Sequence, residues 1–209
     1  MRELLPWGGH HLYDRLVGRP LAAFYDRLAA DMPAGRVLDV GCGPGHLAAA
    51  LAGRARDVVA LDKDPAQVRI ARRNHPEVDV RLGDAADLPF PDACFDVVVT
   101  SESFHHWNDR AAGVAEAWRV LRPGGVFLII EGAGDVNKAE MTRFLGRRPW
   151  PGLATLTRSI FRVHGFTPRA LETELQPVLA ASPFRGCAVR RIDGWWRVEA
   201  RKSDRRGGA

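Results

Sequence analysis

Apolar residues in this chain fall into two kinds of run. Some runs are short, unbroken and rich in valine. In others, apolar positions recur every three or four residues between charged neighbours. The first kind reads as buried strands, the second as helices with one apolar face. Strands are expected at 36–40, 57–61, 78–82, 95–100 (which holds Val97-Val98-Val99) and 126–131, the last entered through the turn Pro123-Gly124-Gly125. Helical spacing marks 12–31 through Leu16, Leu21, Phe24 and Leu28; it returns at 65–74 behind Pro65, and again between Asp109 and Leu121. Proline is tolerated in a first helical turn, and aspartate just ahead of one can cap it.

Strands and helices therefore alternate, which predicts βαβ units and a parallel sheet. A helix at 168–181 precedes two more strands, 185–192 and 195–201, joined by Asp193-Gly194. Asp-Gly between two strands is a strong hairpin signal. Residues 134–165 break the rhythm around Pro149-Trp150-Pro151, so this segment reads as a lid or substrate insertion. The expected organisation is one domain over 1–202, with a helical cap at 1–34 and a disordered tail at 203–209.

Composition narrows the class. A chain of 209 residues suits one domain. The longest apolar run, Val126 to Ile130, is far below the roughly 18 residues of a membrane helix, so no membrane span is expected. Cys42, Cys94 and Cys187 are scattered, which fits neither a disulfide framework nor a zinc site and points to a reducing cytoplasm. Residues 1–132 hold 15 Lys and Arg against 18 Asp and Glu, a net of −3; residues 133–209 hold 15 against 7, a net of +8. Such asymmetry keeps an anionic partner in view, while solvated arginines explain it as well.

The chemistry starts at Val37-Leu38-Asp39-Val40-Gly41-Cys42-Gly43-Pro44-Gly45, where a buried strand ends in glycines on alternate positions. Glycine lets the main chain turn with positive φ and approach a ligand. His46-Leu47-Ala48-Ala49-Ala50-Leu51-Ala52 then opens a helix. A dinucleotide loop wants glycine or alanine at the sixth position, where this chain has His46.

Asp39 followed by glycines at 41, 43 and 45 resembles motif I of the class I S-adenosylmethionine-dependent methyltransferases. The run Gly83-Asp84-Ala85, Asp87-Leu88-Pro89-Phe90 and Phe95-Asp96-Val97-Val98 strengthens that resemblance, as does Leu121-Arg122-Pro123-Gly124-Gly125 before strand five. The nearest likeness is to the small-molecule group that includes ubiquinone and menaquinone C-methyltransferases. The resemblance implies a Rossmann-like α/β fold: a seven-stranded, mostly parallel sheet in the order 3-2-1-4-5-7-6, strand 7 antiparallel, with helices on both faces. It implies S-adenosyl-L-methionine as cofactor and a small-molecule methyl acceptor.

Asp62 ends strand two, 17 residues past Gly45, where a carboxylate can accept both ribose hydroxyls. Asp84 matches the family's adenine-binding acid, with the N–H of Ala85 beside it, and Lys63 stands where adenine would pack. The cofactor-binding set is Asp39, Gly41, Cys42, Gly43, Asp62, Lys63, Asp84, Ala85 and Ser101. Asp64 is read as a helix cap. Ser101-Glu102-Ser103-Phe104-His105-His106-Trp107 borders the crevice after strand four, making His105 and His106 candidates for a general base or an acceptor contact. No third ligand accompanies the histidines at a useful spacing, so no metal is expected.

A sulfonium methyl is already activated, so alignment and exclusion of water are the main demands. Trp7, Tyr13 and Phe104 are candidates for an aromatic wall near the sulfonium. Trp150, Trp195 and Trp196 are either acceptor contacts or core. Two other readings stay open: an RNA methyltransferase, disfavoured because no Asn-Pro-Pro-Tyr-like motif follows strand four, and a non-catalytic or other-class protein that binds an adenosyl ligand.

Overall fold

Valine-rich runs become strands because β-branched side chains pack well on a pleated surface. The computed structural model describes residues 22–54, 57–145, 158, 159, 162 and 165–204. In chain order they form α1 (Ala22–Ala30), β1 (Val37–Val40), α2 (His46–Ala52), β2 (Val58–Asp62), α3 (Pro65–Asn74) and β3 (Asp79–Leu82). There follow β4 (Phe95–Ser101), a 3-10 turn (Phe104–His106), α4 (Arg110–Val120), β5 (Leu121–Gly132) and α5 (Lys138–Leu145). The chain ends in α6 (Pro168–Ala170), a π-helical turn (Leu171–Leu175), α7 (Gln176–Ala181), β6 (Ala188–Ile192) and β7 (Trp195–Arg201).

The seven strands lie in the order β3-β2-β1-β4-β5-β7-β6, as expected. β1 to β5 pair in parallel, and β7 is antiparallel to both β5 and β6. Alternate residues of the central strands feed two cores. Val97, Val99 and Leu128 face one layer, with Leu28 of α1, Leu47 and Leu51 of α2 and Val68 of α3. Val98, Phe127 and Ile129 face the other, with Val114 of α4 and Leu171, Leu175 and Leu179. Burial on both faces explains the unbroken apolar runs. Each fully buried side chain such as Leu128 contributes about 1.5–3 kcal/mol.

Local signals behave as read. Asp64 caps α3 by accepting from the N–H of Ala66 at 2.8 Å, and Asp109 caps α4 by accepting from Ala112 at 2.9 Å. Asp193 and Gly194 both have positive φ, 44° and 84°, as a twisted two-residue hairpin turn requires.

Three readings need correction. Pro123-Gly124-Gly125 does not precede β5 but bulges out of it: Phe95 pairs with Leu121, then Val97 with Val126. The helix at 168–181 is interrupted by the π-turn, because Pro177 has no N–H to donate and its ring would press on the carbonyl four residues back. Arg185 to Cys187 lie outside β6, Arg185 having a φ of 61°. In the expected insertion, α5 forms behind a reciprocal cap in which Asn137 and Glu140 each accept the other's N–H at 2.9 Å. Asn137-Lys138-Ala139-Glu140 is a capping-box pattern inside the segment of broken periodicity. The rest of 146–157, the tail beyond Asp204 and the expected helix ahead of Ala22 fall outside the described residues.

Candidate active site

Strand order reverses between β1 and β4, and a crevice opens at their carboxyl ends. The glycine loop after β1 forms its floor. Gly41 (φ +75°) passes so close to Ser103 that a Cβ would lie 1.8 Å from Ser103 Oγ, so only glycine fits. At Gly43 (φ +53°) a Cβ would meet no atom within 4 Å, and the residue faces open cavity. The N–H groups of Gly41 and Cys42 both donate to the carbonyl of Leu61, at 2.7 and 3.0 Å, tying the loop to β2.

Asp62 completes that tie. Its Oδ2 accepts from the N–H of Gly43 at 2.8 Å and its Oδ1 from the N–H of Asp64 at 2.9 Å. Both oxygens are thereby aimed, each with a lone pair left for a ligand hydroxyl. Beyond β3, Asp84 Oδ1 accepts from the N–H of Ala86 at 2.9 Å, so its role as a turn residue coexists with its place on the cavity wall. Arg119 of α4 braces this loop, donating to the carbonyls of Phe90 and Leu88 at 2.8 and 3.0 Å.

The crevice holds a cavity of about 490 Å³. Gly41, Cys42, Gly43, Asp62, Lys63, Asp84, Ala85 and Ser101 all line it. Asp39 does not. It is 1% exposed and lines a separate space of about 30 Å³ under the loop, shared with Gly41, Ser101 and Tyr25. Asp39 Oδ2 and Ser101 Oγ are buried and, among the described residues, have no hydrogen-bond partner. Burial and the neighbouring Asp62 charge push Asp39 up to about 7, against the N–H of Ala48. Burial also raises Asp62, although the N–H groups of Asp64 and Gly43 oppose it. Two carboxylates that resist ionisation suit a cationic ligand, whose charge would favour their ionised forms.

The two histidines separate. His106 lines the cavity, and its carbonyl accepts from Lys63 Nζ at 3.2 Å. His105 turns toward β5, where its Nδ1 lies 2.7 Å from Glu131 Oε2. Phe104, a candidate for the aromatic wall, is instead fully buried in the core beside Trp107 and Phe166. Its place at the cavity is taken by Tyr25 of α1 and by Trp107. Trp195 stacks on Phe24 with ring centroids 4.2 Å apart, and Trp196 donates from Nε1 to the carbonyl of Phe166 at 2.7 Å, so both serve packing. Trp7, Tyr13 and Trp150 lie outside the described residues.

Cavity residues that the sequence reading missed include Tyr25, Gln67, Ser103 and Asn108. Their only local signal was proximity to the loops that were recognised. Several arginines of the basic half are paired within the fold: Arg191 with Glu140 and Asp135, Arg143 with Asp193, Arg201 with Glu199. Among the described residues no helix is long and apolar enough to cross a membrane.

Comparison with known proteins converges on the same half of the chain. Residues 38–129 match the methyltransferase domain family. A Mycolicibacterium smegmatis protein assigned as an S-adenosylmethionine-dependent methyltransferase is 49% identical over 105 residues, 50% of this chain and 41% of that protein. The 27-O-demethylrifamycin SV methyltransferase of Amycolatopsis mediterranei is 40% identical over 139 residues, 58% of this chain and 51% of that enzyme. The chain thus spans about half the length of these relatives or less. A crystal structure assigned as an S-adenosylmethionine-dependent methyltransferase from Methanococcus maripaludis superposes with a TM-score of 0.74 at 22% identity, covering 95% of this chain and 92% of that one, which shows the shared fold. Over residues 38–129 the chain thus matches the methyltransferase domain family, and its sheet order is part of a fold shared with a solved structure assigned as an S-adenosylmethionine-dependent methyltransferase.

Proposed function

We propose that this protein binds S-adenosyl-L-methionine and transfers its methyl group to a small-molecule acceptor. The observation that carries the proposal is the meeting of the glycine loop, Asp62 and Asp84 on one cavity at the strand-order switch. The donor set fits the cofactor: open space over Gly43, and on the cavity lining Ser101 Oγ, which has no hydrogen-bond partner among the described residues and can accept from an ammonium group, with the Asp39 carboxyl buried under the loop beside it.

When bound, the cofactor supplies a methyl group already activated on a sulfonium. Asp62 accepts from the ribose hydroxyls, and Asp84 from the adenine amine, with Ala85 and Lys63 flanking the base. Gly41, Cys42 and Gly43 admit the methionine end beside Ser101, and Asp39 draws its positive charge. The chain's part in the reaction is to hold donor and acceptor in line and keep water out. His106, on the cavity wall, contacts the acceptor, and Tyr25 of α1 covers part of the crevice. Both the name of the rifamycin relative and the carboxyl groups of Asp62 and Asp84 on the cavity wall support a small molecule over nucleic acid. Cys42, Cys94 and Cys187 are all thiols, in keeping with the cytoplasm as the location.

Calorimetry with S-adenosylmethionine and S-adenosylhomocysteine tests the proposal. Saturable binding of one cofactor per chain is expected, and tighter binding of NAD would overturn it.

A further inference from the structure

Apart from Ser101, the residues assigned to the cofactor stand at or just after the ends of β1, β2 and β3. Glu102 lines the same cavity from the other side of the strand-order switch, one residue past β4. One of its oxygens accepts from the N–H of Gly132, at the end of β5. The other accepts no hydrogen bond among the described residues. Its φ of 52° is a conformation that a residue with a Cβ rarely adopts. Such strain persists only where the surroundings fix the residue, and it gathers at sites that bind or react.

Among the described residues, five carboxyl groups line the cavity: Asp62, Asp64, Asp84, Glu102 and Asp109. Four have other tasks. Asp62 holds the N–H groups of Gly43 and Asp64, Asp84 holds that of Ala86, and Asp64 and Asp109 cap α3 and α4. Glu102 is left with a single N–H. The charges around it do not balance either. Glu131 of β5, 1% exposed, lies 2.7 Å from His105 Nδ1, so two carboxyls face one imidazole. Lys63, on the cavity lining, donates to the carbonyl of His106 at 3.2 Å. Arg110 of α4 is paired with Glu174 at 2.9 Å and donates to the carbonyl of His105 at 3.3 Å. Burial and the Glu131 charge hold the Glu102 carboxyl well above the usual carboxylate range, against the charge of His105 and the N–H of Gly132.

Resting on the methyltransferase reading above, we infer that Glu102 selects the methyl acceptor by seating a protonated amine, so that the substrate is a cationic nitrogen compound. A cation beside Glu102 favours the ionised carboxyl and also answers the charge of Glu131. An anionic acceptor would be repelled by both. A neutral carbonyl would find one O–H donor and leave the field of Glu131 unanswered. Glu102 also shields the acceptor's charge from the positive sulfonium, which would otherwise oppose a cation in the same cavity. Tyr25 and Trp107 line that cavity, and aromatic faces attract the same class of ligand. Glu102 exchanges no bond with the methyl group. Its part is to choose which molecule enters and to fix how it is turned.

A carboxyl here has one rival use, which is to face the sulfonium itself. The tie of Glu102 to Gly132 of β5, and not to the glycine loop, favours the acceptor. The methionine end has Ser101 on its own side of the cavity, with Asp39 beneath the loop. The two uses predict different losses when the charge is removed.

The test uses the full chain and Glu102→Gln, which keeps an oxygen for the Gly132 N–H and removes the charge. Calorimetry first measures S-adenosylmethionine and S-adenosylhomocysteine. Failure of the unaltered protein to bind either sinks the methyltransferase reading itself; binding without the following results sinks only the present inference. The variant should bind both within about threefold of the unaltered protein. A loss confined to S-adenosylmethionine would assign Glu102 to the sulfonium and overturn the proposal. Protein loaded with S-adenosylhomocysteine is then titrated with benzylamine, benzyl alcohol, acetophenone and benzoate, followed by NMR. Benzylamine should bind about 10-fold or more tighter than the other three, and Glu102→Gln should remove that advantage while leaving benzyl alcohol unmoved. A cation must expel the proton from Glu102, so benzylamine should bind more tightly as the pH rises from about 6 to about 8, and the variant should flatten that rise. No binding of benzylamine, acetophenone or benzoate bound as tightly, or benzylamine held equally by the variant overturns the acceptor class.

Discussion

Replacing Gly41 with alanine would set a methyl carbon 1.8 Å from Ser103 Oγ and 2.6 Å from Ser103 Cβ, at a φ of +75°. Two costs follow and can be separated. The left-handed conformation disfavours any Cβ by about 1–2 kcal/mol. Forcing a methyl into an occupied space adds about 1–3 kcal/mol as Ser103 and its neighbours shift. Gly41→Ala should therefore destabilise the fold by about 2–5 kcal/mol. Ser103→Gly removes both clashing atoms. Alone it forfeits, among the described residues, the long contact from Trp107 Nε1 at 3.4 Å and some backbone rigidity. In the double variant the clash disappears and the conformational cost stays, so the pair should couple by about 1–3 kcal/mol. Urea denaturation of all four proteins, with constant slopes as the check on two-state behaviour, measures that coupling. A chain of this size should also melt about 2–4 °C lower for each kcal/mol lost. Gly41→Ala with wild-type stability, or additive effects of the two substitutions, would refute the claim that the loop is threaded against Ser103.

Three other outcomes are expected. Asp62→Asn leaves one acceptor oxygen where two N–H groups now donate, and should weaken S-adenosylmethionine binding by about 1.5–3 kcal/mol in calorimetry; an unchanged Kd contradicts the ribose assignment. Asp39, raised to about 7, is largely protonated below that pH, and a cationic ligand must expel the proton. Cofactor affinity should therefore rise with pH up to about 7 and level off above it, by at most about tenfold per unit, and Asp39→Asn should flatten the profile. A flat profile in the unaltered protein removes Asp39 from the site. Lys202→Met should cost about 1–3 kcal/mol in thermal unfolding, because its Nζ donates to the carbonyls of Trp118 and Leu121 at 2.8 and 2.7 Å and sits 3.9 Å from the Trp118 ring centroid; a loss below about 0.5 kcal/mol would show those bonds to be idle.

Features that depend on near neighbours could be read directly from the sequence. Val97-Val98-Val99 declares a strand buried on both sides, Asp64-Pro65 a capped helix start and Asp193-Gly194 a hairpin, because each reflects burial or backbone geometry over a few residues. The glycine loop and the two acids after it belong to the same class, since they lie at strand ends whose positions the apolar runs define. The capping box at Asn137 is equally local, but it is set in a segment whose irregular composition hides it.

The partners of His105, the seclusion of Asp39 and the burial of Phe104 were decided elsewhere. His105 and Glu131 are 26 positions apart and meet because β4 and β5 run in parallel with Ser101 opposite Ile130. Asp39 leaves the cavity because the loop that follows it folds over it onto Leu61. A sequence records which residues prefer to be buried or to turn. Which distant side chains then share a dry space follows from strand order and register, and these are set only when the whole sheet closes its two cores.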